Sequence, residues 1–368
     1  MVTKSRRKFL KTSVTAAGSS VLALNSTEVW SNVIIPQSKK VLGVALVGLG
    51  YYSRDLLAPA LQRTKRCKLT GIVTGSPEKI PVWQSRYGIK DSNVYNYQSM
   101  SEIANNPDID VIYIVLPTGL HAEYSIKAAG TGKHVWCEKP MARTEEECQD
   151  IIDACENNRV KLSIGYRMQH EPNTQTIVKW SNSKPYGSIK TLDAEAGYYD
   201  GRTDHWKLKK EMGGGAIYDM GVYPINALRY TSGMEPVAVS KARHETTRPD
   251  AYTDVDETTY FTLEFPGGVL GEGATSFGLN WNELRVNCEK GWYELSPFQS
   301  YSGIRGVTSD GKQLNQTIPN QQAKQMDDDA LAIINNTDVL VPGEEGLKDI
   351  RIVEAIKRSA QNNQSIKL

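Results

Sequence analysis

Val41-Leu42-Gly43-Val44-Ala45-Leu46-Val47-Gly48-Leu49-Gly50-Tyr51-Tyr52-Ser53 decides how the first half of this chain folds. The unbroken apolar run from Val41 to Val47 has the length of a strand buried on both faces. A Gly-x-Gly-x-x-small turn follows at once, with Ser53 in the third small position, and a helix-like segment runs on to Leu61. Gly48 permits the tight turn, and Gly50 lets backbone N–H groups approach a pyrophosphate at the helix start. A lone Gly-x-Gly carries little weight. The strand before it and the helix after it supply the context that does.

The same unit repeats downstream. Cys67–Thr74, Val111–Leu116, His134–Cys137 and Val160–Gly165 read as further strands, with helical patterns at Pro77–Tyr87, Ala122–Gly130 and Thr144–Asn157. Repeated strand–helix units of this length specify a parallel sheet with right-handed crossovers. Such open sheets bind ligands beyond the carboxyl ends of their strands. Glu138-Lys139-Pro140, at the end of the His134–Cys137 strand, puts a carboxylate, a cation and a rigid turn at that edge. Taken singly, Lys139 reads as a solvated surface cation. Its company changes the reading: the Gly-rich turn upstream, and Gly213-Gly214-Gly215 with Asp219 and Tyr223 downstream. Where the second strand ends, a free ribose 2′-OH asks for Asp or Glu, but the chain has Gly75-Ser76-Pro77-Glu78-Lys79. The Ser76 hydroxyl and the Lys79 cation suit a 2′-phosphate and favour NADP; Glu78 keeps NAD open.

After Gly165 the pattern changes. Ile189–Tyr199, Val237–His244, Thr258–Phe265, Gly268–Phe277, Leu284–Cys288 and Gly291–Leu295 are alternating, strand-like runs joined by Gly, Pro or Asn turns. Two helical segments interrupt them, one from Ala216 to Tyr230 and one over 344–362. The fold class is therefore α/β: an N-terminal Rossmann dinucleotide-binding domain over 39–165 plus a C-terminal α+β domain over 166–368, built on a large, mostly antiparallel open sheet. With 368 residues, two domains are expected. Lys+Arg 43 against Asp+Glu 42 leaves a net charge of +1, no basic field for a nucleic acid. No apolar run reaches membrane-spanning length. Five cysteines (Cys67, Cys137, Cys148, Cys155, Cys288) without a Cys-x-x-Cys indicate neither a disulfide framework nor a zinc site. Cys148 and Cys155, seven apart in a helical pattern, read as one buried face. His121, His134, His170, His205 and His244 show no ligand spacing, so no metal is expected.

On the expected helix from Ala216, Asp219 and Tyr223 are four apart and share a face, one above the other. Pro224 is expected to kink the chain just after Tyr223. A phenol beside a lysine ammonium has its phenolate favoured and can serve as a proton shuttle. Alone, Asp219 reads as a structural carboxylate and Tyr223 as a core aromatic.

Together, Gly48-Leu49-Gly50-Tyr51, Glu138-Lys139-Pro140, Gly165-Tyr166-Arg167, Trp206, Gly213–Asp219 and Tyr223 resemble the glucose–fructose oxidoreductase / inositol dehydrogenase (Gfo/Idh/MocA) family, most nearly its glucose–fructose oxidoreductase branch. Cys137–Ala142 and Pro342-Gly343-Glu344-Glu345-Gly346 follow the same pattern. The resemblance runs from Val41 to the C-terminus. It implies a two-domain oxidoreductase that holds a nicotinamide over the open sheet, with Lys139 as catalytic lysine, Asp219 as its orienting carboxylate and Tyr223 as acid/base. The cofactor-binding set expected on this basis is Gly48, Leu49, Gly50, Tyr51, Tyr52, Ser76, Lys79, Leu116, Pro117, His121, Glu138, Lys139, Arg167 and Trp206. The substrate-binding set is Lys139, Tyr166, Arg167, Asp219, Tyr223 and Tyr301. Lys207 and Lys209 stand where arginines are expected, and His170 falls in a variable wall of the cleft.

Ser5-Arg6-Arg7-Lys8-Phe9-Leu10-Lys11, ahead of a mildly apolar Val14–Leu24, resembles a twin-arginine export signal. Residues 1–38 thus read as a signal, removed on export to the periplasm, and an N-terminal arm. That route carries folded proteins, and little free dinucleotide awaits them outside. Together with the family resemblance this implies a retained cofactor: one aldose is oxidised to a lactone and a second carbonyl sugar is reduced. The alternatives are an ordinary sugar or polyol dehydrogenase with a dissociating cofactor, an NAD-dependent glycosidase, and a non-catalytic sugar-binding protein. The second sheet has few helices to cover it, so one face is expected to pair with another subunit in a homodimer or homotetramer. Expected partners are otherwise small sugars, with no nucleic acid and no membrane anchor.

Overall fold

The first sheet holds β1 (Leu42–Val47), β2 (Cys67–Val73), β3 (Val94–Tyr95), β4 (Val111–Ile114), β5 (His134–Cys137) and β6 (Leu162–Ile164) in the order β3-β2-β1-β4-β5-β6. The computed structural model describes residues 39–368, and the expected export signal and the arm up to 38 lie outside the described residues. Every pairing in this sheet is parallel. All residues of β1 and β4 are buried, as their continuous apolar runs require. Strand order reverses at β1 and β4, which fixes where a ligand crevice can open.

The connections are helical. Tyr52–Leu57 winds into α1 (Ala58–Leu61), and α2 (Ile80–Tyr87), α3 (His121–Ala129) and α4 (Glu145–Asn157) follow. The start of α4 is legible residue by residue. Thr144 caps it by accepting the Glu147 N–H, and Glu145, Glu146 and Glu147 fill the first turn. Its buried face is Cys148, Ile151, Ile152 and Cys155, and both thiols are free.

The second half begins with α5 (Pro172–Ser183) and β7 (Ile189–Gly197). The helix expected from Ala216 to Tyr230 is instead two helices, α6 (Ala216–Asp219) and α7 (Val222–Ser232). Gly221, between the two, lets the chain pass close to α6: a side chain there would meet the Ile217 carbonyl oxygen at 2.5 Å. Pro224 then falls in the first turn of α7, where no intrahelical N–H is needed, so it does not kink the chain as expected. The strands β8 (Ala238–Glu245), β9 (Thr258–Phe265), β10 (Val269–Ser276), β11 (Trp281–Cys288), β12 (Gly291–Leu295), β13 (Gly306–Thr308), β14 (Gln313–Leu314) and β15 (Ile366–Lys367) join β7 in a nine-stranded sheet. Only β7 and β10 run parallel in it; the other pairings are antiparallel. On β9, Phe261, Leu263 and Phe265 face the core while Tyr260, Thr262 and Glu264 stay partly exposed.

Two more helices complete the chain. α8 (Gln321–Ile334) returns to the first sheet: Asp327 accepts the Lys65 and Arg66 N–H groups at 2.8 and 2.7 Å, and Met326 and Ala330 pack with Val44 and Leu46. α9 (Gly343–Asn362) lies against α7, β8 and α4. Neither α5 nor α8 was expected from sequence, and neither were β3, β13, β14 and β15. The strands are two or three residues long. The helices bury polar side chains, Asn173, Thr174 and Ser181 on α5 and Gln321, Gln322, Gln325 and Asp329 on α8, so no apolar period announces them.

Candidate active site

A cleft of about 700 Å³ lies between the two sheets, lined from the first half by Tyr51 and Lys139 and from the second by Tyr198, Lys207, Asp219, Tyr223 and Tyr301 among others. Tyr51 follows β1, and Lys139 follows β5. Asp219 ends α6, and Tyr223 stands in the first turn of α7.

Lys139 Nζ donates to the Asp219 main-chain carbonyl at 2.7 Å, stands 3.6 Å from Asp219 Oδ1 and lies 4.5 Å from the centroid of the Tyr223 ring. The ammonium therefore sits over the phenol's face, a cation–π arrangement. The three expected reacting groups meet, but because the chain breaks between α6 and α7 and not because Asp219 and Tyr223 stack along one helix. The nearer partner of the carboxylate is one the sequence flagged only as a substitution. Lys207 Nζ donates to Asp219 Oδ2 at 2.6 Å and to the Tyr198 hydroxyl at 3.0 Å. Burial would raise the Asp219 pKa, but Lys207 and Lys139 outweigh it and hold the carboxyl at about 2. Burial pulls the Lys139 pKa down, and Tyr223, Asp219 and Glu138 more than reverse that, so the ammonium is kept charged.

Behind Lys139 the wall is buried. Glu138 is buried and accepts the Tyr113 hydroxyl at 2.5 Å; burial pushes its pKa up to about 7. Arg167 is buried too, donates to the Gln299 carbonyl at 2.6 Å, and spreads beneath the Tyr301 and Tyr223 rings at 4.6 and 5.7 Å from their centroids. His121 sets both ring nitrogens 2.8 Å from main-chain oxygens, those of Pro140 and Leu116, which ties the end of β4 to the Lys139 turn. Burial pushes the neighbouring Cys137 thiol up to about 12, so it packs and does not react.

The Gly-rich turn fits a dinucleotide. Gly48 has φ +90°, and a Cβ on it would strike the Val115 carbonyl at 2.5 Å and Leu116 at 2.7 Å. A Cβ on Gly50 would meet nothing within 4 Å, so space outside the protein's own packing is what a side chain there would fill. Ser53 donates to the Gly48 carbonyl at 2.6 Å and fastens the turn. Lys79 reaches from the end of β2 to the Leu49 carbonyl at 3.3 Å, with Ser76 beside it in the same loop. Tyr52 packs its ring 6.1 Å from that of Tyr301 across the cleft.

Three expected positions fall elsewhere. Tyr166 is 1% exposed and belongs to the core rather than to the substrate wall. Trp206 is not among the residues lining the cleft; it stacks beside His205, 5.8 Å from the Lys207 ammonium. His170 does not line the cleft either: it is buried and its Nδ1 lies 2.8 Å from Asp328 Oδ2 on α8. Lys209 points to Asp204 at 3.5 Å. Among the described residues no group of three or more His, Cys, Asp or Glu is placed to hold a metal, and no helix is long and apolar enough to cross a membrane.

Comparison with known proteins places this geometry. A family model described as "Oxidoreductase family, NAD-binding Rossmann fold" (GFO_IDH_MocA) matches residues 42–166, and a "GFO/IDH/MocA C-terminal domain" matches residues 174–294. The chain is 25% identical over 342 residues to the D-xylose 1-dehydrogenase [NADP(+)] of Haloarcula marismortui, covering 88% of this chain and 92% of that one. The crystal structure of aldose-aldose oxidoreductase from Caulobacter crescentus, complexed with glycerol, superposes with a TM-score of 0.86 at 35% identity, over 89% of this chain and 99% of that one. The scyllo-inositol dehydrogenase of Lactobacillus casei, solved with NAD(H) and scyllo-inositol, shares the fold at a TM-score of 0.74 and 18% identity, over 89% of this chain and 99% of that one.

Proposed function

The chain belongs to the GFO/IDH/MocA family of sugar oxidoreductases, and from that premise we propose that it is an NADP-dependent enzyme that keeps its cofactor, oxidising an aldose to a lactone and reducing a second carbonyl sugar. The observation that carries this reading is the meeting of Lys139, Asp219 and Tyr223 in a cleft of about 700 Å³ beside the Gly48–Ser53 turn. The Gly-rich turn, with Leu49, Tyr51 and Tyr52, holds the pyrophosphate side of the dinucleotide. Leu116 and Pro117 continue that wall, and Glu138 and Arg167 back it. Ser76 and Lys79 take the 2′-phosphate. The name of the H. marismortui relative supports NADP, and the NAD(H)-bound inositol dehydrogenase keeps NAD as the alternative.

When bound, the nicotinamide supplies the two-electron chemistry. Tyr223 holds the sugar hydroxyl by its phenolic oxygen and takes its proton in the first half-reaction. In the second half-reaction it returns the proton to the oxygen of the acceptor sugar. Lys139 faces the oxygen on which charge develops, with two of its three N–H groups left after the bond to the Asp219 carbonyl. One sugar loses a C–H and an O–H bond, and the other gains both. Tyr301, at the mouth, orients the ring.

Likeness to an aldose-aldose oxidoreductase supports a two-sugar cycle. Twin-arginine export to the periplasm fits a retained cofactor, and the partly exposed face of the nine-stranded sheet would join copies into a homodimer or homotetramer. A dehydrogenase with a dissociating cofactor is the second reading. The test is the absorbance of the protein as purified. Addition of an aldose alone should raise the reduced-nicotinamide band, and addition of a second aldose or a ketose should bleach it. A protein that needs added dinucleotide for each turnover is the second reading's enzyme.

A further inference from the structure

We propose that Lys207 is a positioning residue for the reaction: it clamps the Asp219 carboxylate, so that Lys139 keeps its ammonium over Tyr223 and open to the sugar instead of closing on Asp219. The inference rests on the reading of Lys139, Asp219 and Tyr223 as the reacting set.

The distances carry it. Charge-assisted N–H···O bonds run at about 2.7–2.9 Å. Asp219 Oδ2 is 2.6 Å from Lys207, whereas Oδ1 stands 3.6 Å from Lys139. The carboxylate has been taken by the other lysine. Lys139 is left with a neutral carbonyl partner at 2.7 Å and free N–H groups. A lone lysine and a lone aspartate in a buried cleft would close to a neutral pair with little charge to offer a substrate oxygen. Two ammoniums around one carboxylate leave a net positive charge, which favours negative charge developing beside Lys139.

Lys207 is built into this position. Its side chain is 18% exposed, and the Gly215 N–H donates to its main-chain carbonyl at 2.8 Å, at the N-cap of the helix that ends in Asp219. A Cβ on Gly214 would lie 2.4 Å from that same carbonyl, so the glycine turn is what allows the two segments to meet. The Tyr198 hydroxyl, 3.0 Å from Lys207 and 3.4 Å from Asp219 Oδ2, fixes the head group from the end of β7.

The surrounding charges do not cancel the effect. Asp200 is engaged by Arg202 through Nε at 2.7 Å and again through Nη2. His205 lies on the same loop, Glu138 and Arg167 face Lys139 from the first half, and Tyr223 and Tyr301 close the front. Phe277 and Trp206 meet the Lys207 ammonium with ring faces at 5.8 Å.

The experiment is the pH profile of kcat/KM for aldose oxidation in wild type, K207M and K207R, with K139M alongside. Removing a cation raises the pKa of every group it faces. Both limbs of the K207M profile are therefore expected about one unit or more higher. Its kcat should fall about tenfold or more while the sugar KM changes less than about threefold. K207R, which keeps the charge, should bring both limbs back. Should K207M not fold, K207Q carries the same comparison. Unmoved limbs in K207M, or a loss confined to sugar KM, would overturn the inference and make Lys207 a packing residue or a sugar contact. Wild-type rates in K139M would instead overturn the reading on which it rests.

Discussion

Glu138 accepts the Tyr113 hydroxyl at 2.5 Å inside the wall that carries Lys139. Burial raises its pKa from the ordinary 4.5 to about 7, against the hydrogen bond and the nearby Lys139 and Arg167. The folded state therefore binds this proton more tightly than the unfolded chain, and its stability falls as pH rises from 4.5 towards 7. At most this costs about 3 kcal/mol. E138Q removes the penalty, so its melting temperature should gain on wild type between pH 5 and pH 8. Asp329 and Asp349, both raised to about 6, act with the same sign, which is why the difference between the two proteins is the quantity to measure. A difference that does not change with pH would mean that Glu138 is ionised throughout.

Y223F keeps the ring under the Lys139 ammonium and removes only the oxygen. Its kcat should fall by about 10²–10⁴, with a melting temperature within a few degrees of wild type. Stopped-flow oxidation of one sugar equivalent measures this. Near-wild-type turnover would assign the proton to another group.

D219N acts in the opposite sense to loss of Lys207. Without the carboxylate, Lys139 loses one of the groups that hold its pKa up against burial, so the alkaline limb of kcat/KM should move to lower pH. Stability should fall by about 3–5 kcal/mol, because two partly buried ammoniums lose their partner. The wild-type carboxyl, held at about 2, contributes stability that is fully present above its ordinary 3.8 and is lost as pH falls through 2. Urea titrations at neutral pH and at pH 3 should show that gap between the two proteins narrowing in acid.

The two glycines of the turn should separate folding from binding. G48A forces a side chain onto φ +90° and into the Val115 carbonyl, so it should lower the melting temperature by several degrees. G50A meets nothing in the protein and should melt as wild type does, yet weaken dinucleotide binding about tenfold or more. Calorimetric titration of NADP and NAD into cofactor-stripped protein reads both. G50A binding as tightly as wild type would move the pyrophosphate away from this turn.

Much of this is legible in the sequence. The first sheet followed from runs such as Val111–Ile114, apolar throughout because both faces are covered, and from helix starts like Thr144 with three glutamates behind it. The long strands of the second sheet followed from two-residue alternation, as on β9. What escaped had no such signal. α8 reaches the first sheet through Asp327 and buries glutamines, so its inward face looks like solvent. The Asp219–Tyr223 spacing suggests one helix because nothing local shows that Gly221 passes too close to the Ile217 carbonyl for any side chain, which only the folded chain displays. Lys207 drew notice as a lysine in an arginine's place, but its grip on Asp219 depends on two segments meeting at Gly214.

The most direct measurement follows the sugar's own hydrogen. The protein as purified, with no dinucleotide added, is given an aldose deuterated at its anomeric carbon together with a second, unlabelled aldose, and the products are weighed by mass spectrometry. A retained cofactor with Lys139 and Tyr223 at the reacting oxygen predicts a lactone from the first sugar and a deuterium-bearing alditol from the second, with none from Y223F. Unchanged sugars, or label that appears only after NADP is supplied, would contradict it.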